Sequence, residues 1–250
     1  MQGFSDLKHI YVRECGGVHN GIQVGSFVTD GRCGHELSLL SLEKLYLNFL
    51  PDMRYIWKSL VLLSNLTILE VKGCKRLTHV FTYRMIASLV QLKVLKTLSC
   101  EELEQIIAKD DDERDQMLSG DHLISLCFPS LCEIEVEECN KLKSLFPVAM
   151  ASGIPELQLL KITKASQFLG VFGQDDQASL VNVEKEMVLP KLKELSLEQL
   201  PCIVCFSFGC CDILLPHLET LMVHQCPKLT TKFAITPDGS LSARSEVQLI

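Results

Sequence analysis

Apolar residues recur along this chain in the frame L-x-x-L-x-L-x-x-(C/L), with isoleucine or valine allowed for leucine. Eight copies begin at Leu7, Leu42, Leu66, Leu92, Leu131, Leu157, Leu192 and Leu218. The first runs Leu7, Ile10, Val12, Cys15, the fifth Leu131, Ile134, Val136, Cys139, and the last Leu218, Leu221, Val223, Cys226. Thr97 and Ala165 are the two departures from the frame. Within each copy apolar and polar residues alternate at period two, the pattern of a short strand with one buried face. The cysteine or leucine three places later turns inward beneath the strand, where a thiol behaves as a small apolar group. Successive copies are 35, 24, 26, 39, 26, 35 and 26 residues apart. Four of these intervals fit stacked repeats with a period of ~20–29 residues, and three add an insertion. No copy can cover its own apolar face, so neighbours must stack into one parallel sheet over a continuous core. At ~4.8 Å per strand, eight strands predict a sheet about 35–40 Å wide.

Two kinds of strand exit follow the frame. Cys74-Lys-Arg-Leu77-Thr-His-Val-Phe81 matches Cys139-Asn-Lys-Leu142-Lys-Ser-Leu-Phe146, and Cys100-x-x-Leu103 and Cys226-Pro-Lys-Leu229 begin the same way. The other exit is Leu50-Pro51-x-Met53, repeated as Leu200-Pro201-x-Ile203, where proline lacks the amide hydrogen and stops the strand. Met85–Leu89 and Met150–Ile154 predict short helical turns on the convex side. Residues 16–36 are glycine-rich and read as an inserted loop, and Lys109-Asp-Asp-Asp-Glu-Arg-Asp115 as a solvated acidic loop without the spacing of a calcium site. The array is expected to occupy residues 1–235. Residues 236–250, which open Thr-Pro-Asp-Gly-Ser, are expected to form a disordered tail. The first strand needs a cover for its apolar end.

Composition narrows the function. Leucine supplies 42 of 250 residues, apolar residues make up 47% and charged residues 22%, which gives ample material for a core. A formal charge of −7 supplies no general attraction for nucleic acid. No run reaches the ~18 apolar residues of a membrane span. The twelve cysteines are scattered, and Cys15, Cys74, Cys100, Cys139 and Cys226 share the inward repeat position, so reduced structural thiols are expected. Cys202-x-x-Cys205 with Cys210-Cys211 lacks the paired grammar of a zinc site. No G-x-S-x-G, H-E-x-x-H or phosphate-binding loop occurs. The expectation is a protein without catalytic, cofactor or metal sites.

The polar strand positions are the candidate binding residues, because in a solenoid they line the concave face. Those singled out are Tyr46, Lys96, Glu133, Glu135, Glu137, Lys161, Lys164, Glu194 and Glu198. The fifth strand is wholly acidic, between Lys96 and Lys161 on the neighbouring strands. Cross-strand charge pairing, at ~0.2–1 kcal/mol per pair, is the ordinary use of such residues. A docking stripe for a basic partner surface is the functional alternative.

The C-x-x-L-x-x-(V/L)-F and L-P-x-(M/I) exits, Phe128-Pro-Ser-Leu131, and Cys100-Glu-Glu-Leu-Glu-Gln-Ile-Ile107 before an acidic loop carry a resemblance. From about Leu7 to Phe233 the chain resembles the leucine-rich-repeat region of plant nucleotide-binding disease-resistance proteins, particularly the coiled-coil class. The fold expected is therefore an α/β leucine-rich-repeat solenoid, a curved parallel sheet of about eight short strands with an irregular or short-helical convex side. The resemblance implies a cytoplasmic, protein-binding sensor in plant defence. It would meet a pathogen effector or a guarded host protein and restrain a nucleotide-binding switch domain, whose phosphate loop is not present in this sequence. The alternative from another class is the substrate-recognition array of an F-box ubiquitin-ligase adaptor.

Overall fold

The alternating frame produces a five-residue strand in every copy. The computed structural model describes residues 7–17, 37–57, 61–109, 127–173, 186–208, 212–237 and 239–244. In chain order the strands are β1 (His9–Arg13), β2 (Leu37–Ser38), β3 (Lys44–Asn48), β4 (Val61–Leu62), β5 (Ile68–Lys72), β6 (His79–Thr82), β7 (Val94–Leu98), β8 (Gln105–Ala108) and β9 (Glu133–Glu137). They continue as β10 (Ser144–Pro147), β11 (Leu159–Thr163), β12 (Gly170–Gly173), β13 (Glu186–Val188), β14 (Glu194–Glu198), β15 (Asp212–Leu215), β16 (Thr220–His224), β17 (Lys232–Ile235) and β18 (Leu241–Arg244).

The eight repeat strands form one parallel sheet in the order β1-β3-β5-β7-β9-β11-β14-β16. Their register places equivalent residues side by side: Leu69 opposite Leu95, Leu95 opposite Ile134, Ile134 opposite Leu160, and Leu160 opposite Leu195. These side chains are at most 1% exposed and lie in a core that runs from Leu39 to Ala243. A tight turn precedes the sheet strand in the second to eighth copies, with Leu42 N–H donating to Leu39 O at 3.0 Å and Leu131 N–H to Phe128 O at 3.2 Å. A second turn follows the inward cysteine or leucine, as from Leu77 N–H to Cys74 O at 3.1 Å. The repeat is thus a backbone repeat as well as a side-chain repeat.

On the opposite side of the array one coil carries the one-turn helix α1 (Tyr83–Ile86), which buries Met85 and Ile86, and another carries a 3-10 turn over Val148–Gly153. Each begins two residues before the segment expected to be helical and overlaps it, α1 only at Met85 and Ile86. Elsewhere that side is built from short strands, pairing β2 with β4, β6 with β8, and β10 with β12. Consecutive apolar residues explain the difference: Val80-Phe81, Ile106-Ile107, Leu145-Phe146 and Val171-Phe172 are buried on both strand faces, which suits β-branched and aromatic side chains.

Three expectations need correction. Leu241–Arg244, inside the tail expected to be disordered, forms β18, antiparallel to both β15 and β17. The hairpin is closed by Thr236 N–H donating to Ser240 O at 2.8 Å, with Gly239 at a φ of 85°. Cys15 is exposed rather than inward-packed, because among the described residues no strand lies beyond β1. Glu133, Glu135 and Glu137 are half-buried rather than exposed, since neighbouring lysine side chains close over them. The glycine-rich insertion from residue 18, the acidic loop from Asp110, and Cys210-Cys211 lie outside the described residues.

Candidate partner-binding face

The solvent-facing side of the sheet presents the first, third and fifth residues of each strand, and its chemistry changes along the array. In the middle, Lys96 Nζ lies 2.6 Å from Glu133 Oε1 and 3.2 Å from Glu135 Oε2. Lys161 Nζ reaches the other oxygen of Glu135 at 3.1 Å. One strand exit further, Lys164 Nζ lies 2.8 Å from Glu137 Oε1 and 3.2 Å from Glu138 Oε1, while Ser99 Oγ donates to Glu138 Oε2 at 2.8 Å. Burial alone would push the Glu135 carboxyl up, but hydrogen bonds from Lys161 and Lys96 outweigh it and hold the group below the ordinary carboxylate range. The same bonds raise Lys161, and the bond to Glu133 raises Lys96, so both stay protonated. The acidic strand is therefore neutralised from both sides.

Six of the nine residues singled out from sequence, Lys96, Glu133, Glu135, Glu137, Lys161 and Lys164, lie in these two adjoining clusters. Glu194 and Glu198 sit one strand further on, where Ser196 Oγ donates to Glu198 at 2.7 Å. Neither glutamate has an ion-pair partner among the described residues. Tyr46 stands apart. Its ring stacks on Tyr11 with centroids 4.6 Å apart and planes within 4°.

Beside that stack lies an aromatic residue that sequence reasoning passed over. Phe49 follows β3 at a φ of 55° and is 41% exposed. Arg13 and Lys72 each lie 5.9 Å from its ring centroid. The ring also rests on Gly73, where an added Cβ would come within 2.6 Å of it. The available signal was positional: Phe49 and Gly73 occupy the same place in consecutive repeats, one residue before the inward Leu50 and Cys74.

The inward thiols serve the fold. Cys74, Cys100 and Cys139 each point at a carbonyl of the preceding strand, Leu47 O at 3.6 Å, Val71 O at 3.8 Å and Thr97 O at 3.5 Å. Burial pushes the Cys74 thiol up to about 11 and the Cys205 thiol to about 12, which suppresses the reactive thiolate. Thr97, a departure from the repeat frame, is fully buried and places its hydroxyl 3.7 Å from Cys139 Sγ.

Among the described residues no group of three His, Cys, Asp or Glu side chains could hold a metal ion, and no helix is long and apolar enough to cross a membrane. A cleft of about 510 Å³ lies on the opposite side between β8 and β10, lined by Ile107, Phe146, Leu169 and Phe208 with Lys109 and Lys143.

A stack of short parallel strands with repeating inward residues and a varied polar face defines a leucine-rich-repeat solenoid. The chain belongs to the family described as plant disease resistance protein RPS2-like, leucine-rich repeats, whose model matches residues 1–101 and 102–243. It is a defence-related leucine-rich-repeat module, of a kind that in resistance proteins generally binds other proteins. No curated protein and no solved structure gives a match.

Proposed function

We propose that this chain is the sensing array of a plant cytoplasmic immune receptor. Its sheet face binds a pathogen effector or a guarded host protein and, before that, restrains a nucleotide-binding switch domain. The supporting observation is the contrast between the two faces of the sheet. Inward positions repeat leucine and its equivalents, whereas outward positions change from aromatic and basic through neutralised to acidic. Packing requires the first set, and it leaves the second free to encode a partner. The residues assigned to contact are Tyr46, Lys96, Glu133, Glu135, Glu137, Lys161, Lys164, Glu194 and Glu198. Of these, Glu194 and Glu198 carry the most usable charge, because neither makes an ion pair among the described residues, and only Lys161 acts on Glu198 from a distance.

Co-expression with the nucleotide-binding switch domain of a coiled-coil resistance protein tests this reading. Glu194→Lys with Glu198→Lys is expected to leave the urea midpoint unchanged, and either to abolish association or to release signalling without an effector. Unchanged association and signalling in the folded double variant removes this face from the mechanism.

A further inference from the structure

Strands β1, β3 and β5 and the residues that follow them carry a preorganised aromatic and cationic surface. Tyr11 is 66% exposed, yet its ring is held flat by the stack on Tyr46. The Phe49 ring is seated on the bare Cα of Gly73 between two cations. Rings fixed before binding surrender little conformational freedom, and tyrosine and arginine are enriched among residues that dominate interface energies.

Two of the cations around these rings, Lys44 and Lys72, are available. Among the described residues neither makes an ion pair, although Lys44 lies near enough to Glu43 to help lower that carboxyl's pKa, and Arg13 pairs with its chain neighbour Glu14 at 2.9 Å. Lys8 is taken by Glu43 at 2.8 Å, with His9 Nε2 at 3.9 Å from the same carboxylate. This differs from the central strands, where Lys96, Lys161 and Lys164 are all neutralised.

We propose that Tyr11, Tyr46 and Phe49, with Arg13, Lys44 and Lys72, form the anchor for a short carboxylate-rich segment of a partner protein that also carries apolar or aromatic side chains. This rests on the reading of the sheet face as the protein-binding surface. Charge complementarity selects an acidic occupant, and the exposed rings select one with apolar groups among its acids. The patch is bounded: Glu70 stands beside Tyr46 and Lys72 on β5, and the face becomes glutamate-rich from Glu133 onward. A strand spacing of ~4.8 Å gives three strands a width of about 10 Å, enough for a short acidic stretch. A nucleic-acid backbone crossing the face would meet the glutamates next.

Fluorescence anisotropy on the full chain tests the proposal, with a labelled glutamate peptide carrying phenylalanines as probe. Single-stranded DNA and the lysine version of the peptide serve as comparators. The acidic peptide is expected to bind and to weaken as salt is raised. Lys44→Glu with Lys72→Glu, and separately Tyr11→Ala with Phe49→Ala, should each weaken it about tenfold or more. Lys228→Glu, at the far end of the array, should leave binding unchanged, and urea midpoints establish that every variant is folded. Absence of binding, equal binding by DNA, or folded double variants that bind like the parent would each overturn the proposal. If switch-domain association responds to sheet-face variants while the peptide fails, this inference alone falls. If the peptide binds as described while that association is unaffected, the patch stands and the receptor reading falls.

Discussion

Glu135 and Ile134 are neighbours in sequence but answer to different forces. Ile134 is 1% exposed between Leu95 and Leu160, so Ile134→Ala should cost about 2–4 kcal/mol through lost burial and a residual cavity. Glu135 bridges two lysines, and Glu135→Ala should cost about 1 kcal/mol, above the ~0.5 of an isolated surface residue. Its folded pKa is depressed, so its stabilisation is present above the unfolded carboxylate value of ~4.3 and is lost as pH falls through the folded value. The raised lysines act at the other limit: their contribution is complete below the unfolded value of ~10.4 and disappears as pH rises through the folded one. Urea melts at several pH values should therefore show Glu135→Gln losing stability at neutral pH and converging on the parent in acid, while the Ile134→Ala deficit persists. A constant Glu135→Gln deficit across the range would contradict the bridging role. The alternation of apolar and acidic residues made the strand and its inward side legible. It did not reveal how completely the glutamates are paired, because lysine reach across strands depends on register and rotamer.

Each strand of the eight-stranded sheet is followed by a left-handed residue. Glu14, Phe49, Gly73, Ser99, Glu138, Lys164, Gln199 and Gln225 take φ values from 53° to 65° at the same repeat position. For the first seven, the amide donates to the last carbonyl of the next strand, as from Gly73 to Leu98 O at 2.8 Å and Gln199 to His224 O at 2.8 Å. That bond and the inward turn of the following residue hold a conformation that costs a non-glycine residue roughly 1–2 kcal/mol. Gly73→Ala should destabilise by about 1–3 kcal/mol, since the new Cβ must also displace the Phe49 ring. Gln199→Gly should be neutral or slightly stabilising, because relief of strain opposes the added freedom of the unfolded chain. Thermal melts of the two variants distinguish strain at the strand exit from general intolerance there. Only Gly73 signalled this geometry in the sequence; glutamate, lysine and glutamine at the equivalent places do not. The β17–β18 hairpin was missed for a related reason. Thr236-Pro237-Asp238-Gly239-Ser240 has turn chemistry, and the flanking strands, four residues each, are too short to stand out by alternation.

Across the array stability should fall toward both ends, because each repeat is supported by its neighbours. On β16 the inward-type residues Leu221 and Val223 are 38% and 40% exposed, although their counterparts Leu195 and Leu197 on β14 are fully buried. The hairpin of β17 and β18 closes the edge of the second ladder at β15 and buries Ala243, but it does not pair with β16. Hydrogen exchange should therefore be fastest in β1 and β16 and slowest in β7, β9 and β11. Uniform protection along the sheet would show that the molecule opens as one unit.

The sequence by itself determined the eight strands, their inward residues and their parallel stacking, because period-two alternation and a fixed repeat leave few other ways to bury so many leucines. It also determined the family, through the order of its strand exits. Tertiary structure alone decided which polar residues remain available. Lys96 and Lys72 look alike in sequence, yet Lys96 meets two glutamates while Lys72 meets a ring. The difference arises because side-chain partners lie on adjacent repeats, 23 to 39 residues apart in the chain, and are chosen by register rather than by local pattern.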